Sequence, residues 1–448
     1  MPRLALTSPR VVLGADVRAA TVVVEHERIV DVRPGVDVRP DELRVDLGDD
    51  VLAPGLVDTH VHINEPGRTD WEGFATATQA AAAGGVTTLV DMPLNCIPVT
   101  TTAAALAIKL TAASPQLWVD VGFWGGVVPG NADELAALAA AGVLGCKAFM
   151  VHSGIDEFPN VDEATLRVAM TRLRAAGVPL LAHAELDLGA PACTADPRAY
   201  STYLSSRPSA WEDAAIAMLI RLSRETGCAV HVVHLSSADS LPQIRAAKAE
   251  GLRLTVETCA HYLCLRAEDV PDGDTNFKCA PPIRDDHNRT LLWQGLADGT
   301  IDFVVTDHSP CTPELKARGQ GDFNEAWGGI ASLQLGLPSV WTEACARGHG
   351  LGQVVDWMSR RPAVFAGLGH KKGRIAPGYD ADLFAWTPEQ PFDVTPELLQ
   401  FRHKQSPYLG RQLRGVIRRT WLRGTIVYDG AGVRVGPHGR PLLGRGNP

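Results

Sequence analysis

The sequence predicts an α/β protein, a (β/α)8 TIM-like barrel with a small β-sandwich domain formed by both chain ends. Three observations predict it. From residue 52 onward, about eight short apolar runs alternate with alanine-rich stretches that have apolar residues at helical spacing. The C-terminal ends of those runs carry histidine, lysine and aspartate, and that is the end at which a parallel barrel gathers its chemistry. The two flanks read instead as short β-rich segments.

Taken in order, residues 1–51 contain strand-like runs at 20–25 and 28–32 and are expected to form the first part of the small domain. The barrel is expected over 52–370, with strands at 55–60, 86–92, 117–124, 143–150, 179–183, 229–234, 253–259 and 302–306. Helical periodicity occupies 131–141, 162–176, 210–226 and 237–251 between them. Residues 371–448, with β-rich runs at 381–386 and 415–428, are expected to return to the small domain and end in a tail. The segment 310–327, with Gly319-Gln320-Gly321-Asp322 inside it, reads as a mobile loop over the site.

The bulk composition narrows the class of protein. At 448 residues, with 45% hydrophobic and 21% charged residues and a net charge of −9, the chain is long enough to bury a large core and too acidic to offer a basic stripe to nucleic acid. No apolar run approaches the roughly 20 residues that a membrane helix needs, and the start lacks a charged segment followed by an apolar one, so a cytoplasmic protein without a membrane partner is expected. Nine cysteines without CxxC spacing argue against a disulfide framework and against a zinc knuckle.

The most telling motif is His60-Val61-His62. Residues two apart in a strand share a face, so both imidazoles can reach one ion, although an isolated pair of this kind also occurs as a hydrogen-bonded structural feature. Other strand ends carry Asp91, Lys147, His183, His234 and Asp307 with His308. His60, His62, His183, His234, Lys147 and Asp307 together offer nitrogen and oxygen donors suited to a borderline ion such as zinc, with cobalt and manganese also accepted by such donors.

Lys147 has two readings. A buried ammonium is costly unless it is paired or neutralised, so it either forms a salt bridge to Asp307 or Glu185, or reacts as the free amine with carbon dioxide to give a carbamate that bridges two metals. Asp307 is either a ligand and proton acceptor or an N-cap before Ser309-Pro310. His231 reads as structural, and His308 as a residue that supports the ligands.

Several longer motifs resemble those of the cyclic amidohydrolases, most closely the allantoinases. The likeness runs from Val51-Leu52-Ala53-Pro54-Gly55-Leu56-Val57-Asp58 to Gly373-Arg374-Ile375-Ala376-Pro377-Gly378-Tyr379-Asp380-Ala381-Asp382-Leu383. It implies two divalent metal ions on His60, His62, Lys147, His183, His234 and Asp307, a carbamate on Lys147, and a homotetramer. Dihydroorotases have an arginine where this chain has Asn64, and that arginine grips a substrate carboxylate, so a carboxylated ring is disfavoured here. Trp71-Glu72-Gly73, Asp91-Met92-Pro93-Leu94-Asn95, Ala326-Trp327-Gly328-Gly329-Ile330 and Arg402-His403-Lys404-Gln405-Ser406-Pro407-Tyr408 are similar to allantoinase motifs.

Two departures stand out. His152 occupies the place of the oxyanion-holding tyrosine of hydantoinases and dihydropyrimidinases, and Ala280 that of a common serine. Asn64, Asn95, His152, Ala280 and Arg284 are the candidate substrate contacts, with Arg284 equally able to buttress a loop against Asp285 or Glu257. The resemblance implies opening of the hydantoin ring of allantoin to allantoate in purine breakdown, by a metal-bridging hydroxide with Asp307 moving the proton. The alternatives are a hydantoinase or dihydropyrimidinase-like cyclic amidase, or a metal-free scaffold.

Overall fold

A computed structural model describes residues 3–189, 195–434 and 436–444. Its first strands are β1 (Arg3–Leu13), β2 (Asp16–Glu25), β3 (Arg28–Pro34), β4 (Glu42–Asp46) and β5 (Val51–Pro54). The eight barrel strands follow as β6 (Leu56–Val61), β7 (Val86–Asp91), β8 (Asp120–Phe123) with its continuation β9 (Gly125–Gly126), β10 (Cys146–Phe149), β11 (Leu180–His183), β12 (Val230–Val232), β13 (Leu254–Cys259) and β14 (Phe303–Val305). The chain ends with β15 (Leu383–Asp393), β16 (Gln412–Leu422), β17 (Thr425–Tyr428) and β18 (Pro441–Leu442).

Each barrel strand pairs in parallel with the next, from β6 to β8 and from β9 to β14. The first and last meet through a parallel bridge between Val61 and His308, beside the His62 amide donating to the His308 carbonyl at 2.8 Å. These strands are buried along nearly their whole length, because helices cover the outside of a parallel sheet. The expected helix at 162–176 is present as Glu163–Ala176, started by Asp162 accepting from the Thr165 amide and stopped by Gly177 in the left-handed region.

Several elements are shorter than their apolar runs suggested. The strand expected at 143–150 pairs only over Cys146–Phe149, and the helix expected at 131–141 forms only as Leu135–Ala140. In each case burial extends beyond the regular hydrogen bonding, so hydrophobicity alone overstates the element.

The two chain ends combine as expected. β1 to β5 and β15 to β17 form one continuous sheet of eight strands in the order β17-β16-β15-β5-β1-β2-β3, with β4 beside β1. Bulges in β1, β2, β15 and β16 let it curl over an apolar core that includes Leu6, Val22, Ile29, Leu383 and Trp421. β5 is the join: it pairs in parallel with β1 on one side and antiparallel with β15 on the other, and then leads directly into β6. Gly55 turns this corner, where a Cβ would sit 2.1 Å from Thr87 Oγ1. The tail does not stay with the small sheet, since β18 pairs with β8 of the barrel.

A buried ion cluster ties these parts together. Lys372 Nζ lies 2.6 Å from Asp120 Oδ2, 2.5 Å from Asp382 Oδ2 and 3.0 Å from Asp380 Oδ2, while Arg423 pairs with Asp120. Asp120 belongs to the barrel and Arg423 to the turn between β16 and β17, so the cluster bridges two sheets. Lys372→Met should leave uncompensated buried carboxylates and cost about 3–5 kcal/mol, read as a lowered denaturation midpoint.

Candidate metal centre

The six predicted ligands converge at the C-terminal mouth of the barrel. His60 and His62 flank the end of β6, with ring centroids 5.5 Å apart. Lys147 lies in β10 and His183 closes β11; His234 follows β12, and Asp307 follows β14. Asp307 Oδ1 stands 3.3 Å from His60 Nε2 and 3.4 Å from His62 Nε2, and Lys147 Nζ is 3.1 Å from the same His60 nitrogen. The His234 ring lies 4.6 Å from that of His183 and 5.3 Å from that of His60.

Backbone strain is concentrated here. Asn64, Asn95, His234 and Asp307 all have positive φ, between 40° and 67°, a region that costs non-glycine residues energy and persists where surroundings enforce it. The turns after β7, β12 and β14 bring Asn95, His234 and Asp307 to the cleft.

Buried partners settle which nitrogens face the interior. His60 Nδ1 is bonded to Glu257 Oε1, leaving Nε2 toward Lys147 and Asp307. Glu257 also accepts from the His234 amide at 3.4 Å, and its other oxygen lies 3.0 Å from His231 Nε2. His183 Nε2 is 2.7 Å from Glu185 Oε2, which leaves Nδ1 for the cavity. His62 Nδ1 meets the Asn95 amide at 3.3 Å, and His234 Nδ1 is buried with no hydrogen-bond partner among the described residues.

Burial disfavours the charged form of these imidazoles, pushing His60 down to about 4 and lowering His62, His183 and His234 as well. Burial opposes ionisation of Asp307, but His60 and the hydrogen bond to His62 outweigh it and hold the carboxyl well below its usual range. Lys147, whose ammonium contacts His60 and forms no ion pair among the described residues, is pushed down to about 8 by burial. Imidazoles whose charged form is disfavoured, a carboxylate and a desolvated amine form a donor set that fits divalent cations.

The alternatives resolve as follows. Lys147 contacts His60 and has no bridge to Asp307 or Glu185; Glu185 pairs with Arg207 instead. Asp307 caps no helix: it accepts from Ser309 Oγ at 2.7 Å, and the next helix starts at Pro313 behind Thr312. His231 is structural in its packing, stacked on Phe303 with Nδ1 2.8 Å from Thr255 Oγ1. His308 Nδ1 accepts from the Ser332 amide at 3.1 Å while Nε2 lies 3.3 Å from Glu72, so the tryptophan-glutamate-glycine motif supports this turn. Asp91 pairs with Lys109 and receives the Ile63 amide at 2.9 Å, which fixes the chain just past His62.

A cleft of about 450 Å³ opens above the six donors. Asn95, His152 and Ala280 line it, as do Tyr203, Arg207, Trp211, Lys278 and Trp327. Asn64 and Arg284 do not. The Asn64 amide donates to the Pro310 carbonyl at 3.2 Å, and the Arg284 guanidinium lies 2.6 Å from Glu212 Oε2, so Arg284 buttresses against neither Asp285 nor Glu257. The segment expected as a mobile loop forms one wall, pinned by Lys316 donating to the carbonyls of Thr275, Lys278 and Trp327 at 3.0–3.2 Å.

The sequence reading offered Glu185 and Glu257 only as partners for Lys147 and Arg284, and missed their role in orienting His183 and His60. Their signal was present: Glu257 sits at an inward position of β13, where a charge among apolar neighbours requires a polar partner.

The Amidohydrolase family profile matches residues 51–427, and the chain belongs to that family. It is 53% identical to the allantoinase of Streptomyces avermitilis over 95% of this chain and 96% of that one. It is 44% identical to the allantoinase of Saccharomyces cerevisiae, with 99% of each chain covered. Among solved structures, the L-hydantoinase (dihydropyrimidinase) from Arthrobacter aurescens superposes with a TM-score of 0.92 at 29% identity, covering 99% of this chain and 100% of that one.

The state of Lys147 has a measurable consequence. In metal-free, carbon-dioxide-free buffer the folded amine near 8 lies below the unfolded value near 10.5, so the ammonium destabilises the fold fully below pH 8, and the penalty fades as pH rises to about 10.5. Lys147→Met should therefore be more stable than the parent by about 3 kcal/mol at pH 7 and gain little at pH 11, as read by denaturant titration.

Proposed function

We propose that this enzyme opens the hydantoin ring of allantoin to allantoate, using two divalent cations held by His60, His62, Lys147, His183, His234 and Asp307. The observation that carries the reading is the near full-length similarity to allantoinases of a chain whose six donors meet beneath one cleft. Zinc suits the mixed imidazole and oxygen donors, and cobalt or manganese would be accepted by them. When bound, such cations supply Lewis acidity toward a ring carbonyl and acidify water.

The residues divide the remaining work. Lys147, lowered to about 8 by burial, holds a fraction of free amine near neutral pH. That nitrogen attacks the carbon of carbon dioxide and loses one proton to solvent, which leaves an N-carboxylate with two oxygen donors. Asp307, ionised at neutral pH, takes a proton from the attacking water at its carboxylate and returns it to the departing ring nitrogen. Ser309 Oγ, 2.7 Å from Asp307 Oδ1, orients that carboxylate. Asn95, His152 and the main chain at Ala280 line the space that receives the ring.

A hydantoinase reading rests on the TM-score of 0.92 to an L-hydantoinase. The two are separated by incubating the metal-loaded protein with allantoin, 5-substituted hydantoins and dihydrouracil and identifying products by mass spectrometry. Allantoate as the fastest-formed product supports the proposal, and preference for another ring overturns it. Light scattering tests the homotetramer, and cell fractionation the cytoplasmic location.

Asp307→Asn should keep most of the metal and lose about 10²–10⁴-fold in kcat, measured with metal content determined on the same sample. Lys147→Ala should instead lose metal, and full occupancy in that variant would count against the carbamate.

A further inference from the structure

Arg207 is anchored on one edge and free on the other. Its Nε lies 3.1 Å from Glu185 Oε1 and its Nη2 bonds Glu185 Oε2, so the buried carboxylate holds the guanidinium in a two-pronged grip. Its Cζ lies over the Trp211 ring, 5.9 Å from the centroid. Nη1 has no partner among the described residues, and the side chain, 19% exposed, lines the cleft. The same Glu185 oxygen is 2.7 Å from His183 Nε2, so Arg207 stands one carboxylate away from the ring that would ligate a metal.

This cation uses only one edge in its grip on Glu185. It is pre-organised: the fork is fixed by Glu185 and Trp211 before any ligand arrives, so little rotamer freedom is lost when Nη1 makes a further bond. The neighbouring wall is also rich in donors, since Lys278 lines the cleft 5.3 Å over the Tyr203 ring, with its ammonium bonded only to main-chain carbonyls, that of Asn324 at 3.1 Å among them. Such a wall offers N–H donors of the kind that pair with carbonyl oxygen. The ring being opened must lie over the six donors, so this wall faces whatever the ring carries.

We infer that Arg207 is the specificity-determining residue that reads, through Nη1, the carbonyl oxygen of a polar substituent on the substrate ring. The inference rests on the proposed allantoinase activity, in which that substituent is a ureido group. A charge-assisted hydrogen bond to a carbonyl discriminates strongly against a ring that lacks it, because the donor is then left without a partner.

The test uses the metal-loaded enzyme with Arg207→Lys and Arg207→Met. Allantoin is the substrate, and unsubstituted hydantoin is measured as a competing substrate or, where it is not turned over, as a competitive inhibitor. Arg207→Met should lower kcat/KM for allantoin about 10- to 100-fold, mainly through KM, while hydantoin affinity changes less than about threefold. Arg207→Lys, which keeps the charge on Glu185 but loses the fork, should give a smaller loss in the same direction. Metal content, measured on each variant, should match the parent. A parallel loss for both compounds, or lost metal, would place Arg207 behind Glu185 and His183 as a positioning residue and overturn the inference. A parent enzyme inactive on allantoin would overturn the functional reading itself.

Discussion

The carboxylate of Glu257 is the interaction on which the mouth of the barrel depends. It lies in a nearly dry interior between His60 Nδ1, the His234 amide and His231 Nε2, and so sets the orientation of two candidate ligands from two different strands. An imidazole that donates one nitrogen to a carboxylate must present the other as a lone pair, and that is the form a cation requires. Glu185 does the same for His183, with Arg207 compensating its charge. The inner donors are therefore set by a second layer of buried acids, each with more than one partner.

The site also depends on how the ring closes. Asp58 accepts from the His60 amide at 3.1 Å and from Thr306 Oγ1 at 2.5 Å, so one side chain joins the first and last strands directly below the donors. Above them, Val61 and His308 pair through the backbone. Asp307 thus sits between two cross-links, and its left-handed backbone is held by both. The cost of that strain and of an unpaired lysine falls on the fold, whose burial elsewhere offsets it.

The small sheet secures the same region from outside. β5 joins the two chain ends immediately before β6, and the Lys372 cluster locks the returning chain to β8. A displacement of the terminal segments would be felt at His60, six residues beyond Pro54.

Much of this was legible in the linear order of residues. The alternation of apolar runs and helical stretches, and the placement of His60, His62, Lys147, His183, His234 and Asp307 at run ends, follow from local periodicity, because strands and helices expose different residue spacings. Local pattern could also mark His231 as structural. It could not choose between partners distant in sequence: Arg284 found Glu212, Asp91 found Lys109, Lys147 found no carboxylate, and Glu185 found Arg207. Such choices are made by which strand ends meet across the barrel and by how fully water is removed. The chemical alphabet of the site was written in the sequence; pairing, tautomer and the open face of Arg207 belong to the tertiary structure, because hydrogen bonding in a desolvated interior is decided by three-dimensional neighbours.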